Sequence, residues 1–150
     1  MTIGGTTSGT NAGNYTASFT PKTDYRWSDG ATTAKNVVWS IGKATGTLTV
    51  SKTTIKLSLS KLTDTFTIGG NHDGTLSVTS SATGVATVSR SGNTVTVSHV
   101  NQTNGEATIT VSCTAGTNYS APASKTVKVT AEFILATLND NSWAAIHSVS

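Results

Sequence analysis

Apolar residues recur at every second position in short runs along this chain, the spacing that sets alternate side chains on one face of a β-strand. The fullest set starts at Thr47. Leu48 and Val50 lead into Ile55, Leu57 and Leu59; Phe66 and Ile68 follow and stop at Gly69-Gly70. Leu76 and Val78 come next, then Ala86 and Val88, and a Ser91-Gly92-Asn93 turn returns the chain into Val95 and Val97. Ala107, Ile109, Val111 and Cys113 make the longest alternation, and Val127, Val129, Ala131 and Phe133 close the series. Short strands at regular spacing with turn signals between them predict an antiparallel β-sandwich over 47–134.

The preceding segment is thinner. Residues from Thr2 to Asn14 are mostly Gly, Thr and Asn, with almost nothing to bury. Tyr15, Ala17 and Phe19 then alternate up to Pro21; Tyr25 and Trp27 alternate again before an Asp29-Gly30 turn, and Val37, Trp39 and Ile41 follow. This pattern predicts a partial β-rich repeat of three strands over 1–43, too little for a closed sandwich. Lys43-Ala44-Thr45-Gly46 reads as a linker. At the far end, Asn139-Asp140-Asn141 offers helix N-caps, and Trp143, Ile146 and Val149 recur at threefold spacing. Residues 138–150 are therefore expected to begin a helix or a further domain.

Composition alters this picture in one respect. Ser and Thr supply 50 of the 150 residues, against 35% hydrophobic and 11% charged. Such polarity is common in disordered chains, but a disordered chain has no reason to keep the alternation. Thr is β-branched and suits a solvent-facing pleat, so a thin sandwich with a hydroxyl-rich exterior accounts for both features. The net charge of +3 is mild, and the basic residues, from Lys22 to Lys128, never form a run. Nucleic-acid binding calls for a clustered basic face, so it is not expected. The single cysteine, Cys113, excludes an internal disulfide and falls on the apolar phase of its strand. No apolar run is long enough to span a membrane, and the start does not read as a signal peptide.

The run Ser80-Ser81-Ala82-Thr83-Gly84-Val85-Ala86-Thr87-Val88, then Gly92, Val95-Thr96-Val97 and Gly105-Glu106-Ala107-Thr108-Ile109-Thr110-Val111 resembles the bacterial immunoglobulin-like domains of invasin/intimin-type adhesins, which also decorate phage tails and capsids. The resemblance covers about 47–133. It departs from the family in placing Leu76 and Val78 where a tryptophan usually precedes the Ser-Ser pair, and in the extra stretch from Thr114 to Lys125. The segment from Gly13 to Gly30 is similar to the second half of another repeat of such extracellular proteins. Leu138 to Trp143 looks like the start of a domain that follows these repeats in prophage-encoded structural proteins. The resemblance implies an immunoglobulin-like sandwich on a virion or bacterial surface, with neighbouring domains or surface proteins as partners.

Chemistry is sparse. His72, His99 and His147 lack ligand spacing and read as loop or surface residues. Asn71-His72-Asp73-Gly74 is a turn before it is a metal loop. No Gly-x-Ser-x-Gly elbow appears, and acids such as Asp29, Asp64, Asp73 and Glu106 sit mainly at turns. No enzyme, metal or cofactor is implied. Tyr25 and Trp27, exposed together, would make a platform for a sugar ring or a partner; the plainer expectation is that they and Trp39 fill the N-terminal core. Tyr119 lies in the long loop before the last strand and is expected to be exposed. These residues lead to a non-catalytic structural or decoration module, with a weak, multivalent adhesin for surface carbohydrate or a host protein as the alternative. The missing strands of the first repeat leave an edge for homo-oligomeric strand pairing.

Overall fold

The structure, a computed structural model, describes residues 1–134, and over these the chain is all-β. The expected helix over 138–150 lies outside the described residues. The strands are β1 (Thr2–Gly5), β2 (Gly13–Thr20), β3 (Lys35–Ile41), β4 (Thr49–Val50), β5 (Thr54–Leu57), β6 (Thr63–Gly69), β7 (Leu76–Ser80), β8 (Ala86–Ser91), β9 (Thr94–His99), β10 (Gly105–Cys113) and β11 (Lys125–Ala131). They form a sheet β1-β2-β3 and two four-stranded sheets, β5-β11-β10-β7 and β4-β6-β9-β8, in a sandwich-like arrangement.

The alternation becomes burial. Ile55 and Leu57 of β5, Phe66 and Ile68 of β6, Val95 and Val97 of β9, Ala107 to Cys113 of β10 and Val127 to Ala131 of β11 place their apolar phases inside. Every buried side chain among the described residues is apolar. Each large one stabilises the fold by about 1.5–3 kcal/mol relative to exposure. The hairpin β8–β9 turns at Gly92-Asn93, with Gly92 at φ +56° in the first central position of the two-residue loop, where a side chain is disfavoured. Leu59 is not part of this core: β5 ends at Leu57, and Ser58 and Lys61 exchange backbone hydrogen bonds of 3.0 Å across a tight turn that carries Leu59 outward.

One sheet is mixed, because β11 pairs parallel to β5, with Val129 opposite Ile55. These strands lie far apart in sequence, so no hairpin obliges them to run antiparallel.

In the first sheet β2 is central, antiparallel to both neighbours, with Ile3 opposite Phe19 and Tyr15 opposite Trp39. The strand expected around Tyr25 and Trp27 is instead a loop, and the missing strand is β1. Pro21 ends β2, Asp24 takes φ +72°, and the Tyr25 N–H donates to the Lys22 carbonyl at 3.0 Å, closing a turn. A second turn follows, in which Gly30 N–H donates to the Trp27 carbonyl at 2.9 Å. β1 escapes the hydrophobic pattern because all four of its residues are exposed; the backbone ladder joins it to β2.

The chain divides into two compact units. Among the described residues, one comprises Met1–Thr49, Gly69–Ser77 and Val111–Lys125; the other comprises Val50–Ile68, Val78–Thr110 and residues 126–134.

Candidate functional site

Two places in the first unit gather side chains that the core does not use. Tyr25 is 71% exposed, which overturns its expected place in the N-terminal core; the loop after Pro21 carries it off the sheet. Trp27 is half-buried, its Nε1–H donating to the Thr33 carbonyl at 2.8 Å. Tyr25 and Trp27 share a shallow cavity of about 160 Å³ with Met1, Pro21, Lys22 and Arg26. Lys35 Nζ stands 5.3 Å from the Trp27 ring centroid and also donates to the Asp29 carboxylate. That ammonium, with the Ala31 N–H, holds the Asp29 carboxyl below its ordinary range. Sequence pattern pointed to Tyr25 and Trp27 but not to Lys22 and Arg26, whose charges are unremarkable until the turn brings them beside the rings.

Trp39 is not in that cavity. It stacks on Tyr15 with ring centroids 4.6 Å apart, and its Nε1–H donates to the Thr6 carbonyl at 2.9 Å. The indole is half-buried, in partial agreement with its expected core role.

Tyr119 lies elsewhere, half-buried rather than exposed, beside a cavity of about 180 Å³ lined by Thr10, Ala12, Ile41, Ala44 and Asn118. It belongs to a loop pinned from several sides. The Asp73 carboxylate accepts the Asn118 N–H at 2.7 Å and the Tyr119 N–H at 3.2 Å. The Asn118 carbonyl accepts from Ala44 N–H at 2.8 Å, and Ala44 accepts in turn from Ser120 N–H at 2.9 Å. The Asn118 side chain reaches the loop before β2, accepting from Ala12 N–H at 2.8 Å. Lys43 Nζ donates to the Gly116 carbonyl at 2.7 Å. Residues 43–46, which read as a linker, are thus tied down. Glycine is required where the segments touch: a Cβ on Gly116 would overlap the Asp73 carboxylate, and one on Gly46 the Ser120 carbonyl. None of this shows in a hydrophobic pattern, because Asp73-Gly74 and Asn118 look like ordinary turn residues.

Among the described residues of the second unit, an exposed pair joins Lys128 to Glu106 at 2.8 Å, and a more enclosed ionic centre forms around Asp64. Asp64, with a side chain 12% exposed, accepts from Lys52 at 2.6 Å and Lys61 at 2.8 Å. The Lys52 hydrogen bond, then that of Lys61, lowers the carboxyl from 3.8 to about 2, with the Thr65 N–H assisting against partial desolvation. Such a centre holds a turn in place. It presents no paired acid and base, since both partners are cations.

Among the described residues no group of three or more His, Cys, Asp or Glu could hold a metal ion, and no helix is long and apolar enough to cross a membrane. His72 is half-buried and lines neither cavity. His99 belongs to β9, not to a loop, and packs against Phe133 with ring centroids 5.5 Å apart. His147 lies outside the described residues.

No family model matches this chain, and no curated protein matches it. Among solved structures it is similar to domains 1–6 of the surface layer protein SbsC, with a TM-score of 0.47 and 24% identity over 85% of this chain. It is similar also to the S-layer protein rSbsC, with a TM-score of 0.45 and 24% identity over 85% of this chain. Domains 4 and 5 of SbsC match with a TM-score of 0.45 and 24% identity over 83% of this chain and 66% of that one. The chain spans 17% of the length of each of the first two.

Proposed function

We propose that this chain is a non-catalytic structural module of a protein displayed on a bacterial surface or a phage particle, its sandwich being of the bacterial immunoglobulin-like type. The observation that carries the reading is the pinned loop at Asn118. A catalytic or switching loop needs room to move. Here backbone and side-chain hydrogen bonds spend the polar groups of Asp73, Asn118 and Ala44 on holding three chain segments together. Each bond stabilises by about 1 kcal/mol net, those to the carboxylate by more. That is how a spacer resists being pulled apart. The neighbouring partners are further domains of the same string or other surface proteins.

Stretching the full chain by its two ends tests this. The parent should resist to a higher force than Asn118→Ala, which loses the acceptor for Ala12. Equal unfolding forces would leave the structural reading without its support.

A second reading is favoured by the Tyr25–Trp27 cavity, where two rings stand beside Lys22 and Arg26. Stacking faces next to cations suit weak, multivalent attachment to a surface saccharide. Beads coated with the Tyr25→Ala/Trp27→Ala chain should then lose adhesion to glycan-coated surfaces that the parent retains. Equal adhesion removes the reading.

A further inference from the structure

The edges of the two four-stranded sheets are short or blunted. β4 has two residues, β5 four with Lys56 exposed among them, β7 five with Ser77 and Thr79 outward, and β8 carries Arg90. Such edges do not invite another strand. The outer edge of β3 differs. It is seven residues long, and its interior, Asn36-Val37-Val38-Trp39-Ser40, has no charge, no proline and no bulge to deter pairing. Its one cation, Lys35, stands at the end and is engaged by Asp29. Val37 is 52% and Val38 69% exposed, on opposite faces of one strand. Alternate residues of β3 aim their backbone N–H and C=O groups away from β2, and among the described residues no hydrogen bond reaches them.

We propose that the β3 edge is an assembly surface whose occupant is the β3 strand of a second copy of this chain, paired antiparallel about a two-fold axis through Val38. The strand's own register argues for this occupant. Centring the pair on Val38 sets Val37 opposite Trp39 of the second copy, a β-branched residue against an aromatic, on both sides of the axis. Asn36 then meets Ser40, Val38 meets Val38, and Lys35 meets Ile41, so no like charges oppose each other. Moving the axis to Val37 would instead set Lys35 against Trp39 and Asn36 against Val38. The strand is self-complementary in the way an isologous interface requires. Pairing also extends the apolar face of Ile3, Ala17, Phe19, Val37 and Trp39, which borders an open groove of about 380 Å³, into a six-stranded sheet. One added strand buries well under the about 1,600 Å² of a standard stable interface. The contact is therefore weak in free solution and suited to copies already held side by side. It does not depend on the pinned loop or on any ligand.

The test uses the full chain with native Cys113, which is buried, left in place. Val38→Cys puts a thiol on the axis, where paired Cα atoms about 4.5–5.5 Å apart permit a disulfide. Ser40→Cys faces Asn36 of the second copy and has no thiol opposite. Under mild oxidation Val38→Cys should form covalent dimer roughly tenfold faster than Ser40→Cys, through the local concentration that pairing supplies. In sedimentation equilibrium the parent should shift toward dimer as concentration rises toward about 1 mM, while Val38→Lys, with like charges on the axis, stays monomeric with an unchanged circular dichroism spectrum. Equal cross-linking of the two cysteine variants, or identical sedimentation of parent and Val38→Lys, would overturn the proposal.

Discussion

The sheet β1-β2-β3 and the β6–β9 region of the sandwich are written in the same alternating script, yet they use it differently. Phe66, Val95 and Val97 are fully enclosed, whereas Ile3, Val37 and Val38 each keep more than half of their surface in water. Alternation specifies which face a side chain takes and leaves open whether anything lies over that face. The β6–β9 pair owes its stability to dry packing. The first sheet owes its stability to the backbone ladder, to the Tyr15–Trp39 stack, and to tethers such as Trp39 to Thr6 and Asn118 to Ala12.

The sharpest break of this contrast is a matched pair of truncations. Phe66→Ala removes a ring from a closed core and should cost about 3–5 kcal/mol, because the cavity adds to the lost transfer energy. Phe19→Ala, at a half-buried position that water already reaches, should cost about 1 kcal/mol. Urea unfolding followed by circular dichroism measures both. Equal losses would show that the first sheet is closed in solution.

The same contrast explains what the sequence revealed. Strands β5 to β11 were legible because each places its apolar phase inward, and a burial pattern is what periodicity reports. β1 was invisible: Thr2-Ile3-Gly4-Gly5 encloses no side chain and offers one large apolar residue, too few for an alternation, and backbone hydrogen bonds leave no mark on residue type. Tyr25 and Trp27 imitated a strand, since two aromatics at i and i+2 look alike in a ladder and in a turn; Pro21 and Asp24 decided for the turn. The cavity at Tyr25 and Trp27 was half legible, rings without cations. The pinned loop was not legible at all, because Asp73, Gly116 and Asn118 act through long-range contacts while looking like turn formers.

The unit that carries the first sheet is held in part by the Asp73 carboxylate, against which Gly116 packs. Gly116→Ala leaves the backbone in an allowed conformation but drives a methyl into both the carboxylate and the main-chain carbonyl carbon of Asp73. Side chain and backbone of Asp73 must both move, weakening the carboxylate's bonds to the Asn118 and Tyr119 N–H groups. A loss of about 2 kcal/mol is expected, together with faster amide hydrogen exchange at Asn118, Ala44 and Ala12. Unchanged exchange at these amides would show that the loop is held by other means.

A third, smaller effect belongs to the second unit. Asp64 has a folded pKa of about 2 against an ordinary 3.8, so folding favours its ionised form. Its contribution is complete above about pH 4 and fades as pH falls through the folded value near 2. With Lys52 and Lys61 each at least 40% exposed, solvent screening reduces that contribution to about 1 kcal/mol. Asp64→Asn should therefore lower stability at pH 7 by about this amount and flatten the decline between pH 4 and 2. A parallel acid profile in the variant would place the acid sensitivity at other carboxylates.

The smallest expected change tests the open edge itself. Val38→Thr keeps the shape of the side chain and its fitness for a strand, replacing a methyl with a hydroxyl. Inside a core that exchange is costly, because the hydroxyl must be desolvated. At a position 69% exposed the hydroxyl stays hydrated, and stability should move by less than about 0.5 kcal/mol at low micromolar protein. The measurement gains meaning when repeated at high protein concentration. A penalty that emerges only there means that a second copy covers Val38, whereas one present at every concentration means that the chain itself covers it, and the two halves of the contrast would then be alike.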